Sequence, residues 1–388
     1  MAFPRNKAAI VGLGVTEFSK NSGRSEMQLA VEAVAAALSD AGIEPGEVGG
    51  LCTFTMDNNS ENEVFRNIGG KDLTFFSRIN YGGGGACAPL LQAAMAVSSG
   101  VADVVVCYRA MNERSGQRFG SPTKSLPLPE SELHLSAFTS LHGLQTGAAK
   151  LAIAMRRYMH ETGATSENFA DYAVAIRRHA ATNPNAFFYG KPITRDDYLN
   201  SRMIADPFRL LDCCQESDGA VAVVVTSAER AASLRQKPVF IRAAAQGAPF
   251  GVMGLASYYK SDIVPRQECE LVARQLYKMA DLKPQDIQVA ILYDHFGPAV
   301  LPALEGYGFC AKGEAKDFIK NGNIEIDGGL PVNTHGGQLG EAYIHGMNGI
   351  AEGVRQIRGV AVNQVECVEN VLVTAGTGLP TSGLILGA

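Results

Sequence analysis

Apolar positions along the chain follow two rhythms. Short runs such as Ala8–Leu13 and "VADVVVCYRA" (101–110) are apolar at nearly every position, so both faces of a strand are buried. Longer stretches carry small and apolar residues at helical spacing, as in "SEMQLAVEAVAAALSDAGI" (25–43) and "CAPLLQAAMAVSSG" (87–100). Between them, "PGEVGGLC" (45–52) reads as a turn and a second strand, and "DLTFFSRI" (72–79) as a third. Continuous strands alternating with helices predict an α/β fold on a parallel-type sheet.

The pattern repeats within the chain. The stretch from Leu29 can be laid over the one from Leu271, with Ala41 on Ala280, Ile43 on Leu282, Pro45 on Pro284 and Val48 on Ile287. Each copy reads helix, proline turn, strand. A looser echo links "GGACAPLLQAAMAVSSGVADVVV" to "GEAYIHGMNGIAEGVRQIRG" and the later "ENVLVTAG". A repeat about half the chain long means duplicated halves, not a solenoid. The predicted division is an N-terminal half (1–108 plus 216–230), an insertion (109–215) and a C-terminal half (231–388). The insertion is polar and punctuated by proline, and it holds two helices, 146–163 and 165–183. The second opens on Thr165 or Ser166 as its cap. A long excursion from a rigid scaffold is a natural place for substrate contacts.

Composition narrows the function. The 388 residues are 46% hydrophobic and 19% charged, an ordinary globular balance. A net charge of −5 gives no footprint for nucleic acid. No apolar run reaches the roughly 20 residues of a membrane span, and the N-terminus lacks a signal-peptide pattern, so a cytoplasmic protein is expected. The eight cysteines form no C-x-x-C pair and are expected to be reduced. The seven histidines show no H-x-x-x-H spacing, and no metal is expected.

The run 156–231, which contains "CCQESDGA" (213–220), resembles the thiolase superfamily, in its lipid-transfer branch related to sterol carrier protein X. The likeness extends over essentially the whole chain. It implies the thiolase fold: two βαβαβαββ halves in five layers (αβαβα) with an inserted loop domain. Thiolases carry a nucleophilic cysteine on a glycine-rich turn at a helix N-terminus, where free N–H groups favour a thiolate. In "NYGGGGACAPLL" that slot falls at Gly83, and Cys87 lies one turn later, where a small core residue is the plainer reading. The second family motif reads Tyr293-Asp294-His295-Phe296. The catalytic histidine of the third is replaced by Tyr343 in "EAYIHG", and the cysteine of the fourth by Thr374 or Ala375 in "VLVTAGTGLP".

With neither nucleophile nor histidine in register, covalent acyl transfer lacks its groups. Two tyrosines stand in two working positions instead. A β-hydroxyacyl-CoA can be cleaved without a covalent intermediate, given a base at the hydroxyl, stabilisation of the thioester oxygen and an acid at Cα. The sequence is similar to bacterial steroid side-chain aldolases. That resemblance implies cleavage of 17-hydroxy-3-oxo-4-pregnene-20-carboxyl-CoA to androst-4-ene-3,17-dione and propionyl-CoA, with Tyr293 and Tyr343 catalytic. It also implies an OB-fold partner domain of a hydratase, a homodimer through the thiolase core and hence a heterotetramer. No cofactor is expected beyond the CoA thioester that serves as substrate. Asp294, His295, His345 and Cys87 are candidate supporting residues, with the histidines placed to tune the tyrosines. Gly83, Gly84, Asn333, His335, Gly336, Gly337 and Gly376 are candidates for the substrate and CoA site. The rival readings are a thiolase using Cys87 and a non-catalytic acyl-CoA or lipid binder.

Overall fold

The computed structural model describes residues 5–54, 57–80, 82–116, 118, 137–252, 254–378 and 381–388. The first half contributes β1 (Ala8–Val15), β2 (Gly50–Phe54), β3 (Phe75–Ile79) and β4 (Val104–Asn112). A small hairpin follows, β5 (Met203–Ala205) and β6 (Phe208–Arg209), and then β7 (Asp218–Ser227). The second half contributes β8 (Val239–Gly247), β9 (Val289–Ile291), β10 (Asn370–Thr374) and β11 (Thr381–Gly387). Apart from the hairpin, these strands form one sheet in the order β3-β2-β4-β7-β1-β8-β11-β10-β9.

The duplication is visible in the pairing. In the first half β2 runs parallel to β3 and β4, while β7 lies antiparallel between β4 and β1. In the second, β9 runs parallel to β10, and β11 lies antiparallel between β10 and β8. A parallel bridge from Ala290 to Val332 takes the place that β3 holds in the first half. The halves join where β1 meets β8, through Ala9–Phe240 and Ile10–Val239. Two equivalent helices, Glu26–Ala41 and Arg266–Ala280, each end in a left-handed residue, Gly42 and Asp281, followed by a proline turn.

Burial explains why the strands are apolar throughout. On β1, β4 and β7 one face (Ala9, Val11, Val104, Val106, Val224) packs under the helix Glu26–Ala41. The other face (Ile10, Val105, Cys107, Val221, Val223) packs on the helices Ala88–Ser98 and Met347–Arg358. These two helices also cover Val371, Val373, Leu384 and Leu386 of the second half. Leu372 and Ile385 face the helix Arg266–Ala280 and the two helices of the insertion. The result is five layers, αβαβα, with both faces of each half-sheet covered.

The insertion leaves the sheet after Asn112, at the end of β4, and returns at Asp218, so residues 109–112 belong to the sheet. Residues 117 and 119–136 of the expected insertion lie outside the described residues. Its helices span Gly147–Thr162 and Ser166–Thr182. Thr165 caps the second, its N–H held at 2.9 Å by the Asn168 side chain. Among the described residues no helix is long and apolar enough to cross a membrane.

The outer helix lies flush on β1 because two strand positions have no side chain. A Cβ at Gly14 would sit 2.0 Å from the Ala33 carbonyl oxygen, and one at Gly12 2.1 Å from that of Ala37. Backbone cannot yield as a side-chain tip can, so Gly14→Ala is expected to destabilise the protein by about 1–3 kcal/mol. Urea unfolding measures this; a midpoint equal to that of the parent would contradict the packing described.

Candidate active site

Tyr293 follows β9 by two residues, and its N–H donates to Thr374 Oγ1 at 2.9 Å. Its phenol lies over the first glycine-rich turn. A Cβ at Gly83 would fall 1.9 Å from the Tyr293 hydroxyl oxygen and 2.5 Å from Cζ. Cβ atoms at Gly346 and Gly376 would come within 2.9 and 3.1 Å of the same ring. Three glycines therefore form the slot that holds Tyr293, and the phenol fills the space that a side chain at position 83 would need. Tyr343 precedes the helix Met347–Arg358, and its N–H donates to Ser217 Oγ at 3.2 Å. The two hydroxyls are 3.0 Å apart, and the rings meet edge to face at 6.4 Å.

The segment 213–218 joins the two tyrosine loops. Cys214 N–H donates to the His295 carbonyl at 3.0 Å and Gln215 N–H to that of Gln338 at 2.9 Å. Glu216 bridges Tyr343, and Cys213 bridges Phe296. A cavity of about 700 Å³ opens on this wall, a size that suits a small organic ligand. Gly83, Gly84, Gly376, His295 and both tyrosines line it, as do Leu210, Leu255 and Phe296 on an apolar side. Arg118 and Arg202 from the insertion add positive charge.

Burial pushes the Tyr293 and Tyr343 hydroxyls well above the usual tyrosine range. Both are neutral donors at neutral pH. Burial also drives His295 and His335 down to about 3, and His345 well below its ordinary value. These histidines are neutral, so any influence they have on the tyrosines is through hydrogen bonding and packing, not through a positive charge. A buried cation in the field of both hydroxyls is Arg109, fully buried and paired with Asp57 at 3.4 Å. Its guanidinium lies 5.2 Å from the Phe54 ring, which meets His345, which in turn meets Tyr343.

Several expected site residues stand behind the wall, outside the cavity. Asn333 is fully buried and clamps Leu292: its Oδ1 accepts from the Leu292 N–H at 2.8 Å, and its Nδ2 donates to the Leu292 carbonyl at 2.9 Å. Gly336 packs on Ala180. Gly337 sits where a Cβ would strike the Asp294 carboxylate at 2.1 Å. His335 is buried 3.8 Å from Glu341. These four residues shape the turn that supports Tyr293, so they do not line the CoA end as expected. Asp294 accepts from Gln338 N–H at 2.7 Å and from the Tyr172 hydroxyl at 3.2 Å, which makes it a positioning group. His345 packs between the rings of Phe54 and Tyr343, with centroids 5.2 and 5.5 Å away, and does not line the cavity. Cys87 lies in the central core with its thiol 3.8 Å from the Val373 carbonyl; burial raises its pKa, and it does not reach the cavity.

One residue of the wall carries no signal in the sequence, and two others read there only as packing residues. Glu113, just past β4, is 3% exposed and lines the cavity. Cys213 and Cys214 also line it, and Cys214 packs on the tyrosine pair. Burial raises Cys213 to about 12 and Cys214 well above its ordinary value, so both are thiols, not thiolates. The signal for the cysteines was present in "CCQESDGA", a strand-like segment entering the sheet. Among the described residues no group of three or more His, Cys, Asp or Glu could hold a metal ion.

Comparison with known proteins places this geometry. Residues 8–229 match the family model "Thiolase, N-terminal domain" and residues 254–387 match "Thiolase C-terminal domain-like". The chain is 62% identical to the 17-hydroxy-3-oxo-4-pregnene-20-carboxyl-CoA lyase of Mycobacterium tuberculosis, over 98% of this chain and 99% of that protein. It is 60% identical to the steroid side-chain-cleaving aldolase of Thermomonospora curvata, over 98% of each. The solved structure of an Ltp2-ChsH2(DUF35) aldolase superposes with a TM-score of 0.95 at 59% identity, covering 100% of this chain and 99% of that one.

The buried Asp294 gives a pH test of this wall. Burial raises its pKa to about 7, against backbone and Tyr172 hydrogen bonds that lower it. An unfolded aspartate titrates near 3.9. Between about pH 4 and 7 the folded state therefore holds one more proton than the unfolded one at this site, and the contribution of Asp294 to stability falls as pH rises. Asp294→Asn removes that dependence. The stability difference between variant and parent is expected to move in the variant's favour by about 1.4 kcal/mol per pH unit across this window. Chemical denaturation at pH 4.5, 5.5 and 6.5 measures it; a constant difference would contradict the assignment.

Proposed function

The chain belongs to the thiolase family, and from that premise we infer that it is a retro-aldol lyase acting on a β-hydroxyacyl-CoA steroid. Its substrate is 17-hydroxy-3-oxo-4-pregnene-20-carboxyl-CoA, and its products are androst-4-ene-3,17-dione and propionyl-CoA. Identities of 62% and 60% over nearly the full length to two proteins named for this cleavage support the reading.

The observation that carries the chemistry is the 3.0 Å contact between the Tyr293 and Tyr343 hydroxyls at the cavity wall. Loss of the substrate's hydroxyl proton turns its C–O bond into a carbonyl and breaks the Cα–Cβ bond. The electron pair moves into the thioester enolate, which must then be protonated at Cα. The two hydroxyls in contact can relay that proton: one takes it as its own passes to the other, and the other gives a proton to Cα, so the proton lost equals the proton gained. The geometry provides no thiolate for an acyl-enzyme, since Cys87 is in the core and Cys213 and Cys214 are protonated. That disfavours the thiolase reading. A binder with no chemistry would have no need for the glycine slot that brings Tyr293 to Tyr343.

The reaction needs no cofactor beyond the CoA thioester being cleaved. The substrate's steroid and acyl parts meet the apolar side of the cavity, while Arg118 and Arg202 suit the phosphates of CoA. The protein works with an OB-fold partner domain of a hydratase and pairs with a second copy through the thiolase core, as a cytoplasmic heterotetramer. The name of the 59%-identical structure, which joins Ltp2 to ChsH2(DUF35), supports a partner subunit.

The test is a product assay on the chain with that partner. Tyr293→Phe and Tyr343→Phe should each lower androst-4-ene-3,17-dione formation by about 10²–10⁴-fold, the range for a lost proton-transfer group. Cys87→Ala should stay within about threefold of the parent, because Cys87 is a core thiol outside the cavity and its loss touches packing alone. Activity that survives both phenylalanine variants and dies with Cys87 would return the protein to acyl transfer.

A further inference from the structure

The proton relay depends on a 3.0 Å contact between hydroxyls carried by two separate loops. Hydroxyl pairs bond over about 2.5–3.0 Å, so this contact has little slack, and the support of the Tyr343 loop bears directly on it. Two segments grip that loop. On one side, Glu216 pairs with Tyr343 as a parallel bridge. Next to it, Ser217 Oγ accepts from the Tyr343 N–H at 3.2 Å and donates to the Gln215 carbonyl at 2.7 Å. On the other side, the insertion reaches over the turn just before Tyr343. Phe187 N–H donates to the Glu341 carbonyl at 3.0 Å, and Phe188 N–H to that of Gly340 at 3.2 Å.

Lys20 touches both grips. It lies beyond β1, and backbone pairing along the start of β7 carries it to the site. Ser19 N–H donates to the Asp218 carbonyl at 3.1 Å, Asp218 N–H to that of Ser19 at 2.8 Å, and Ser22 N–H to Asp218 Oδ2 at 3.0 Å. The half-buried ammonium of Lys20 donates to Gln215 Oε1 at 3.0 Å and to the Glu216 carbonyl at 2.6 Å. The Glu216 carboxylate is engaged elsewhere, by Arg118 Nε at 2.7 Å, so the part of Glu216 that Lys20 holds is its backbone. The same ammonium lies 4.5 Å from the centre of the Phe187 ring, within the range of cation–π attraction. Lys20 therefore spans the 215–217 segment and the 187–188 turn, at the edge of the cavity that it helps to line. An ordered lysine gives up much rotamer freedom, and here all three contacts fall on the supports of one loop.

We propose that Lys20 is a positioning residue for the tyrosine pair. It braces the two supports of the Tyr343 loop against each other and so keeps the two hydroxyls in contact. It acts through the backbone of residues 215–217 and the ring of Phe187, and it neither takes nor gives a proton in the reaction. The fold stands without it, since each grip keeps its own hydrogen bonds to the loop. What the brace removes is slack between them. A misplacement of about 1 Å can cost about 100-fold in rate, so the brace bears on turnover and leaves binding alone. This rests on the lyase reading above.

The test compares Lys20→Met, Lys20→Arg, Phe187→Leu and the double variant Lys20→Met with Phe187→Leu against the parent, each in complex with the partner. It reads kcat for steroid-CoA cleavage and propionyl-CoA affinity. Lys20→Met keeps an apolar stem and removes the donors and the charge. It should lower kcat about 10–100-fold and bind propionyl-CoA within about threefold of the parent. Lys20→Arg keeps a cation with several N–H donors and should recover most of the lost rate. Phe187→Leu removes only the ring face and should lower kcat about two- to fivefold. In the Lys20→Met background it should change nothing further, because both residues act through one contact. A Lys20→Met rate within about threefold of the parent would overturn the proposal. So would an arginine variant as slow as the methionine one, or effects at 20 and 187 that simply multiply. A loss of rate matched by a loss of propionyl-CoA binding would overturn it too, marking Lys20 as a substrate contact. A Lys20→Met chain that does not fold would also overturn it, marking a structural role. A parent complex that does not cleave the substrate at all would instead remove the lyase reading, and this proposal with it.

Discussion

Tyr293 reaches Tyr343 because residue 83 has no side chain. The phenol lies in the volume that a Cβ at this turn would need. That one vacancy sets the reach of Tyr293, and glycines at 346 and 376 set the plane of its ring. The rest of the site follows from holding this slot open. Thr374 fixes the backbone of Tyr293, Ser217 that of Tyr343, and the 213–218 segment locks the two loops together. The glycine-rich turn is a socket for an aromatic ring.

The duplicated fold makes such a site possible. Each half ends its strands on the same side of the central helix layer, so loops from both halves converge there. Gly83 comes from the first half, and Tyr293, Tyr343 and Gly376 from the second. The insertion then closes the cavity with apolar side chains and two arginines. Burial sets the protonation of the tyrosines, cysteines and histidines at this wall and of the carboxyls packed behind it. Phenols and thiols stay protonated, imidazoles stay neutral, and Asp294 and Glu341 titrate near 7. Chemistry at this wall therefore proceeds by transfer between neutral donors and the few charges the fold has paired or fixed.

Much of this was legible in the residues. The repeat showed because each copy ends a helix, turns on a proline and enters a strand, features set by local backbone chemistry. The tyrosines showed because they occupy motif positions. The errors share a physical cause. "NTHGG" looks like a ligand loop, since glycines and polar residues suit both a binding turn and a buried supporting turn. Only packing against Ala180 and Asp294 decides for support. His345 and His335 look like residues of the cavity wall, but neither lines the cavity. Glu113 was passed over because it follows a strand in a polar stretch that reads as surface. Its inward direction comes from long-range contacts through Asp218, 104 residues away from Arg114. Local pattern carries the elements; which polar side chain faces the cavity is settled by contacts between distant segments.

The central claim is cleavage by a hydroxyl pair with no covalent intermediate. The most direct measurement is a single-turnover quench of the chain with its partner and 17-hydroxy-3-oxo-4-pregnene-20-carboxyl-CoA. Products and the intact mass of the protein are read from the same samples. The account predicts androst-4-ene-3,17-dione and propionyl-CoA in equal amounts, with the protein mass unchanged at every time point. An acyl adduct that forms and decays with turnover would contradict it.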